Sequence, residues 1–203
     1  MNVLRAGDSA LLVETDDLAG AHALEAALRS SGRAGLVEVV PGARSVLVVV
    51  DPAVADVTSL AGELPALARA ERPEQATKTV DVPVTYDGED LIEVAELAGI
   101  SPAEIVARHT GGDHVVAFCG FSPGFAYISG LDPLLHLPRR PSPRTAVPPG
   151  SVAIASAYSG VYPRATPGGW RLLGHTTRTV WDVNADPPAL LTPGTRVRFV
   201  DVS

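Results

Sequence analysis

Six arginines, Arg139, Arg140, Arg144, Arg164, Arg171 and Arg178, fall between Asp132 and Asp182, and no acidic residue lies among them. The 203-residue chain carries a formal charge of −7, 16 Lys+Arg against 23 Asp+Glu, so a segment of +6 leaves −13 for the remainder. A positive field confined to one stretch of an acidic chain suggests a local anion-binding region rather than a generally basic surface. Guanidinium groups suit that task because their planar donor forks take carboxylate and phosphate oxyanions bidentately. An arginine-rich connection folded over an acidic body would give the same charge pattern, and charge alone leaves both readings open.

The backbone text of this stretch is more specific than its charge. It begins at Gly120-Phe121-Ser122-Pro123-Gly124-Phe125-Ala126-Tyr127 and continues through Pro138-Arg139, Pro143-Arg144, Pro148-Pro149-Gly150-Ser151-Val152, Val161-Tyr162-Pro163 and Pro167-Gly168-Gly169-Trp170. Glycine permits positive φ, and proline fixes φ and removes a donor, so Pro-Gly steps specify tight turns whose free amides can point at a ligand. Phe121, Phe125, Tyr127, Tyr162 and Trp170 are five of the ten aromatics. Rings clustered beside rigid turns and guanidinium groups are suitable walls for a small-molecule pocket. Arg139 and Arg144 each follow a proline, and we expect at least one of them to face a pocket walled by Phe125, Tyr127, Tyr162 and Trp170 and to contact an anionic group there.

In order and spacing, these motifs closely resemble the family of 5-oxoprolinase B subunits, also called allophanate hydrolase subunit 1 or KipI-like, the carboxyltransferase domain subdomain C/D. The pattern GFxPGFxY, a PR pair, PxGSV, YP, PGGW and G-x-T appears in that order from Gly120 to Thr176, with upstream support from Val82-Pro83-Val84-Thr85-Tyr86, Asp90-Leu91, Val94-Ala95 and His109. Tyr158 stands where the family usually has glutamine. The resemblance implies one component of an ATP-dependent enzyme that opens 5-oxo-L-proline to L-glutamate, with Mg-ATP bound by the complex and no metal site in this chain. It also implies partners, the C component of 5-oxoprolinase (allophanate hydrolase subunit 2, KipA-like) and its A component, without which the chain is inactive. The candidate substrate- or nucleotide-binding residues are Phe121, Pro123, Gly124, Phe125, Tyr127, Arg139, Arg144, Tyr162, Pro163, Gly168, Gly169, Trp170 and His175. No catalytic residue is assigned. Inhibition of a sensor histidine kinase, or a role in allophanate hydrolysis or a biotin-dependent carboxyltransferase, is the alternative that the resemblance carries.

The elements that must position these residues divide at 71–77, a polar proline-bearing stretch expected to join a domain of residues 1–76 to one of residues 77–203. The first reads as strand 11–13, helix 18–28 capped by Asp16 or Asp17, strands 36–40 and 45–50 around a Pro41-Gly42-Ala43-Arg44 turn, and helix 54–70, an α+β arrangement. The second opens on an alternating strand, 78–85, and helices 90–98 and 102–109, the latter with Ser101 as N-cap, Pro102 at the first position and Glu104 three residues on. Strands at 114–119, 151–157, 170–173, 179–181 and 196–200, divided by Gly and Pro, predict a nearly closed β architecture. The family resemblance implies the sharper description of a mainly-β cyclophilin-like barrel.

Several chemistries are set aside. No G-x-x-x-x-G-K-[ST] is present. His109, His114, His136 and His175 lack convincing metal-ligand partners and read as structural or solvent-facing. Gly120-Phe121-Ser122-Pro123-Gly124 matches a loose G-x-S-x-G, but Pro123 removes the amide that would help bind an oxyanion. Cys119, the single cysteine, admits no internal disulfide and reads as a buried strand residue. A single lysine, Lys78, in an acidic chain argues against nucleic acid. Apolar runs such as 46–50 fall far short of the roughly 18 residues of a membrane helix, and no secretion signal is read at the N-terminus, so a cytoplasmic location is expected.

Overall fold

A computed structural model describes residues 1–69 and 78–203. The chain divides into two compact units, Met1–Ala76 and Thr77–Ser203, and the expected junction at 71–77 lies outside the described residues.

The first unit runs β1 (Asn2–Arg5), β2 (Ala10–Glu14), α1 (Leu18–Ser30), β3 (Leu36–Pro41), β4 (Ser45–Val50) and α2 (Val57–Arg69). Its sheet has the order β1-β2-β4-β3, antiparallel throughout. Alternation places Val46, Val48 and Val50 against Leu24, Leu28, Leu60 and Leu64 of the two helices, one continuous apolar core. Asp17 caps α1, its side chain accepting from the Gly20 amide at 2.7 Å.

The second unit runs β5 (Thr79–Val84), α3 (Leu91–Ala98), α4 (Pro102–Thr110), β6 (His114–Cys119), β7 (Ala126–Ser129), a short 3₁₀ turn (Pro133–Leu135), β8 (Arg144–Val147), β9 (Ser151–Ala155), β10 (Tyr158–Val161), β11 (Thr166–Gly168), β12 (Arg171–His175) and β13 (Arg196–Asp201). Seven strands form one sheet in the order β12-β9-β10-β7-β6-β13-β5, and a Thr85–His175 bridge joins its two edges at one end, so the sheet is barrel-like and nearly closed. That seam needs Gly174, because a Cβ there would collide with the Thr85 carbonyl. Val80, Val82 and Val84 of β5 alternate inward with Val197 and Phe199 of β13, while Asp81 and Arg198, paired in register, face outward. All five residues of β9 are buried, because Val152 and Ile154 enter the barrel core while Ala153 and Ala155 enter a second cluster on the other side. Ser101 caps α4 as its sequence predicts, accepting from the Glu104 amide at 3.2 Å with Pro102 at the first helical position.

Two expectations are corrected. Residues 179–181 do not form a strand; Trp181 makes only an isolated bridge to Ala189, since Pro187 and Pro188 beside it offer no amides to extend a ladder. Cys119 is half-buried at the end of β6 rather than buried within it. The histidines at 109 and 114 are core residues. His109 is fully buried between the Tyr86 hydroxyl, 2.7 Å from Nδ1, and Ser159 Oγ, 3.0 Å from Nε2. Burial, with a smaller effect from the charge of His114, pushes its pKa down to about 3.

Candidate functional site

The five motif aromatics come together, but as packing rather than as the walls of an open pocket. Phe125 on the approach to β7 stands edge-to-face with Phe121, Tyr127, Tyr162 and Trp170 at centroid distances of 5.2–5.4 Å. Phe125 and Tyr162 are each 1 % exposed, and the space between rings is filled by Val147, Ala153 and Leu172. Gly168 lies against the Tyr162 hydroxyl, where a Cβ would overlap it, and Gly169 lies near Arg140 and Pro143. Phe125, Tyr162 and Trp170 are thus the buried centre of this cluster, with Tyr127 partly buried and Phe121 exposed at its margin.

The Gly120–Phe125 turn projects from this cluster. It is closed by backbone bonds from Gly120 N to Phe125 O (3.1 Å), Ser122 N to Gly120 O (2.7 Å) and Phe125 N to Ser122 O (3.0 Å). Phe121 holds φ at 67° and exposes 61 % of its surface; Pro123 is exposed, and Gly124 sits buried under Trp181. The turn leads from strand to strand, β6 to β7, so Ser122 does not occupy a strand-to-helix nucleophile elbow.

The guanidinium groups find acids outside their own segment. Asp90, 2 % exposed at the start of α3, accepts two bonds from Arg144 (2.9 Å each), one from Arg140, and one from the Leu172 amide at 2.7 Å. Arg144 also bonds Glu89 at 3.0 Å, and Arg171 pairs with Glu93 at 2.8 Å. Burial would raise the Asp90 carboxyl, but Arg144, the Leu172 amide and Arg140 outweigh it and hold the group below the usual carboxylate range. Arg144 is thus a strut tying β8 to α3 rather than a free anion clamp. Arg139 is exposed and acts on the ring cluster only through its field, which with Arg144 and the Trp170 amide offsets part of the burial that raises the Tyr162 hydroxyl.

The cavity that the motifs do build lies elsewhere on the same unit. Pro149, Gly150, Tyr162, Pro163, Thr176, Thr177, Arg178, Thr179 and Val180 enclose about 180 Å³. Three motifs meet there: Pro149-Gly150 between β8 and β9, Tyr162-Pro163 after β10, and the threonine run after β12. Gly150 N donates to Tyr162 O (2.7 Å) and Thr176 N to Gly150 O (2.8 Å), which locks the three segments together. Gly150 has φ +81° and packs against the Thr176 carbonyl, leaving no room for a side chain. Arg178 N donates to Thr176 Oγ1 at 3.0 Å, while the hydroxyls of Thr177 and Thr179 and the Arg178 guanidinium make no hydrogen bond or ion pair with another described residue. Of the expected site residues only Tyr162 and Pro163 line this cavity. His175 stands beside it, half-exposed and 2.8 Å from Asp87.

Sequence reasoning counted Arg178 among the six arginines of the anion-binding segment but did not place it in a site, and it passed over Thr177 and Thr179. Their signal was present in the density of hydroxyl and guanidinium donors in Thr176-Thr177-Arg178-Thr179. The lining holds donors and apolar walls but no carboxylate or imidazole, so it can bind and orient a ligand but offers no general base of its own. Among the described residues no group of three or more His, Cys, Asp or Glu side chains is arranged to hold a metal ion, and no helix is long and apolar enough to cross a membrane.

The family described as "Carboxyltransferase domain, subdomain C and D" matches residues 1–191. The B subunit of 5-oxoprolinase from Escherichia coli O157:H7 is 42% identical over 175 residues, covering 81% of this chain and 78% of the relative. Its namesake in Bacillus subtilis (strain 168) is 44% identical over 137 residues, 66% of this chain and 57% of the relative. The crystal structure of TTHA0988 superposes with a TM-score of 0.83 at 36% identity, covering 96% of this chain but only 40% of that one. The present chain therefore spans less than half the length of that protein.

Proposed function

The chain belongs to the carboxyltransferase-domain, subdomain C and D family, together with its relatives among 5-oxoprolinase B subunits, and from that premise we propose that it is one component of an ATP-dependent 5-oxoprolinase. The observation that carries this reading is the identity of 42% to a protein of that name over 81% of the chain. In this reading the second unit, residues 77–203, is a cyclophilin-like barrel and residues 1–76 an α+β domain, each with its own core.

Hydrolysis of an unstrained lactam is slow because the amide is resonance-stabilised, and Mg-ATP supplies the activation of the lactam oxygen. Everything else asked of this chain is binding and placement. Pro149 and Pro163 give an apolar wall for the ring of 5-oxoproline, and the threonine hydroxyls with Arg178 give donors for its oxyanionic group. Phe125, Tyr127, Gly168, Gly169, Trp170 and Arg144 act behind that surface as positioning residues, holding β8, β10 and the 149–150 turn in register. The exposed Phe121–Pro123 turn and Arg139 are presented to a partner. A cavity without a general base is complete only when another chain supplies one, which fits a heteromer with the C and A components working in the cytoplasm and a chain inactive alone.

The test is to purify the chain with those partners and follow ATP-dependent glutamate formation from 5-oxoproline. Turnover that needs all components supports the proposal; full turnover by this chain alone, or none by the assembled set, contradicts it.

A further inference from the structure

The barrel seam that Thr85 and His175 close at one end opens at the other into a cleft of about 600 Å³, lined by Lys78, Thr79, Val80, Asp81, Arg178, Leu190 and Arg198. Three cations and one acid line it. Arg198 takes up the acid, bonding Asp81 through Nε at 2.9 Å and through its terminal nitrogen at 2.5 Å. That pairing, with a further contribution from the charge of Arg178, holds the Asp81 carboxyl below its ordinary range, so it stays ionised and its charge is spent on Arg198. Lys78 and Arg178 have no ion-pair partner among the described residues. Among the described residues, three cations against one carboxylate leave this surface positive on a chain whose total is −7. Such a concentration attracts anions, and the concavity strengthens the field it presents.

Arg178 lines both this cleft and the 180 Å³ motif cavity, so the two cavities share it as a lining residue. The smaller offers apolar surface and the Thr177 and Thr179 hydroxyls; the larger offers charge and volume.

We propose that the seam cleft is an oxyanion-binding site, in which Arg178 and Lys78 hold a phosphoryl or carboxylate group whose uncharged remainder reaches the motif cavity. Arg178 supplies the forked donors and Lys78 the mobile point charge, while the Arg198–Asp81 pair fixes the floor. This rests on the reading of the motif cavity as a ligand site and extends it to residues outside the motifs.

Lys78 is the sole lysine, so its amine can be followed chemically without interference from another side chain. Pyridoxal 5′-phosphate condenses with an amine to an imine, releasing water, and borohydride then delivers hydride to give a stable secondary amine. The full chain is labelled in this way and the modified peptide quantified by mass spectrometry, with the α-amine of Met1 as internal reference. Labelling at Lys78 should exceed that at Met1, and inorganic triphosphate at ten times its dissociation constant should cut it about tenfold. In R178Q the triphosphate concentration needed for that protection should rise about tenfold. Protection by triphosphate or ATP identifies a phosphoryl site; protection by 5-oxoproline alone identifies a carboxylate site. Equal labelling of both amines with no protection by any of the three overturns the proposal. The readout needs no turnover, so a chain that protects Lys78 yet fails the reconstituted assay would refute the enzyme reading and leave the anion site standing.

Discussion

At the scale of single residues, Asp90 has the most at stake. It is nearly inaccessible and receives Arg144 bidentately, so Asp90→Asn strips the charge that two guanidinium groups were placed to meet. Breaking a buried pair by removing one partner costs about 3–5 kcal/mol, and urea unfolding of Asp90→Asn should read a loss of that order. Because the Asp90 pKa is lowered in the folded state, its contribution is present above the unfolded carboxylate pKa and is lost as pH falls through the folded value. His109 has the opposite charge type and the same direction of shift. Its folded pKa of about 3 lies below the ordinary 6.5, so the unfolded chain binds a proton that the folded chain refuses across that window. Stability should therefore fall as pH drops from about 6.5 toward 3, and His109→Gln should release about one proton equivalent of that slope when urea unfolding is repeated at pH 7 and pH 5. A slope unchanged in His109→Gln would show that other groups carry the acid sensitivity. The arginine segment and Asp90-Leu91 were each legible in the sequence but their pairing was not, because the acids lie far upstream of the arginines they meet and only the fold brings α3 to β8.

At the scale of elements, the seam between β5 and β12 depends on a backbone approach that only glycine permits. Gly174→Ala places a Cβ against the Thr85 carbonyl and should cost about 2–4 kcal/mol, read as a lowered thermal midpoint; a neutral result would mean that the Thr85–His175 bridge opens freely. Helices 18–28 and 102–109 and the alternating strand 78–85 were legible because capping residues and period-2 or 3.6 patterns are local signals. The strands β7, β8, β10 and β11 were not, since they are three or four residues long and embedded in Pro-Gly text that reads equally as turn. β1 went unread for the same reason of length. The motif aromatics were identified correctly as a set that the fold brings together. Their role was harder to see, because an aromatic cluster in sequence does not say whether its rings enclose a space or fill one, and here they fill it.

At the scale of the whole molecule, two compact units with separate cores predict that residues 78–203 expressed alone should unfold in a single cooperative transition, checked by circular dichroism; a noncooperative melt would show that the first unit is required for the second to fold. The cavity and the cationic cleft both belong to that second unit. The cavity offers donors and apolar wall without a base, and the cleft's one carboxylate, Asp81, is engaged by Arg198, which suits the proposed binding role. A drop-out assay probes that dependence at its root: ATP-dependent glutamate formation from 5-oxoproline by the reconstituted components, with this chain present, omitted, or added back. Omission should abolish turnover, and adding the chain back should restore it in stoichiometric proportion to the chain supplied. Turnover that persists when the chain is left out would show that it is no part of the enzyme.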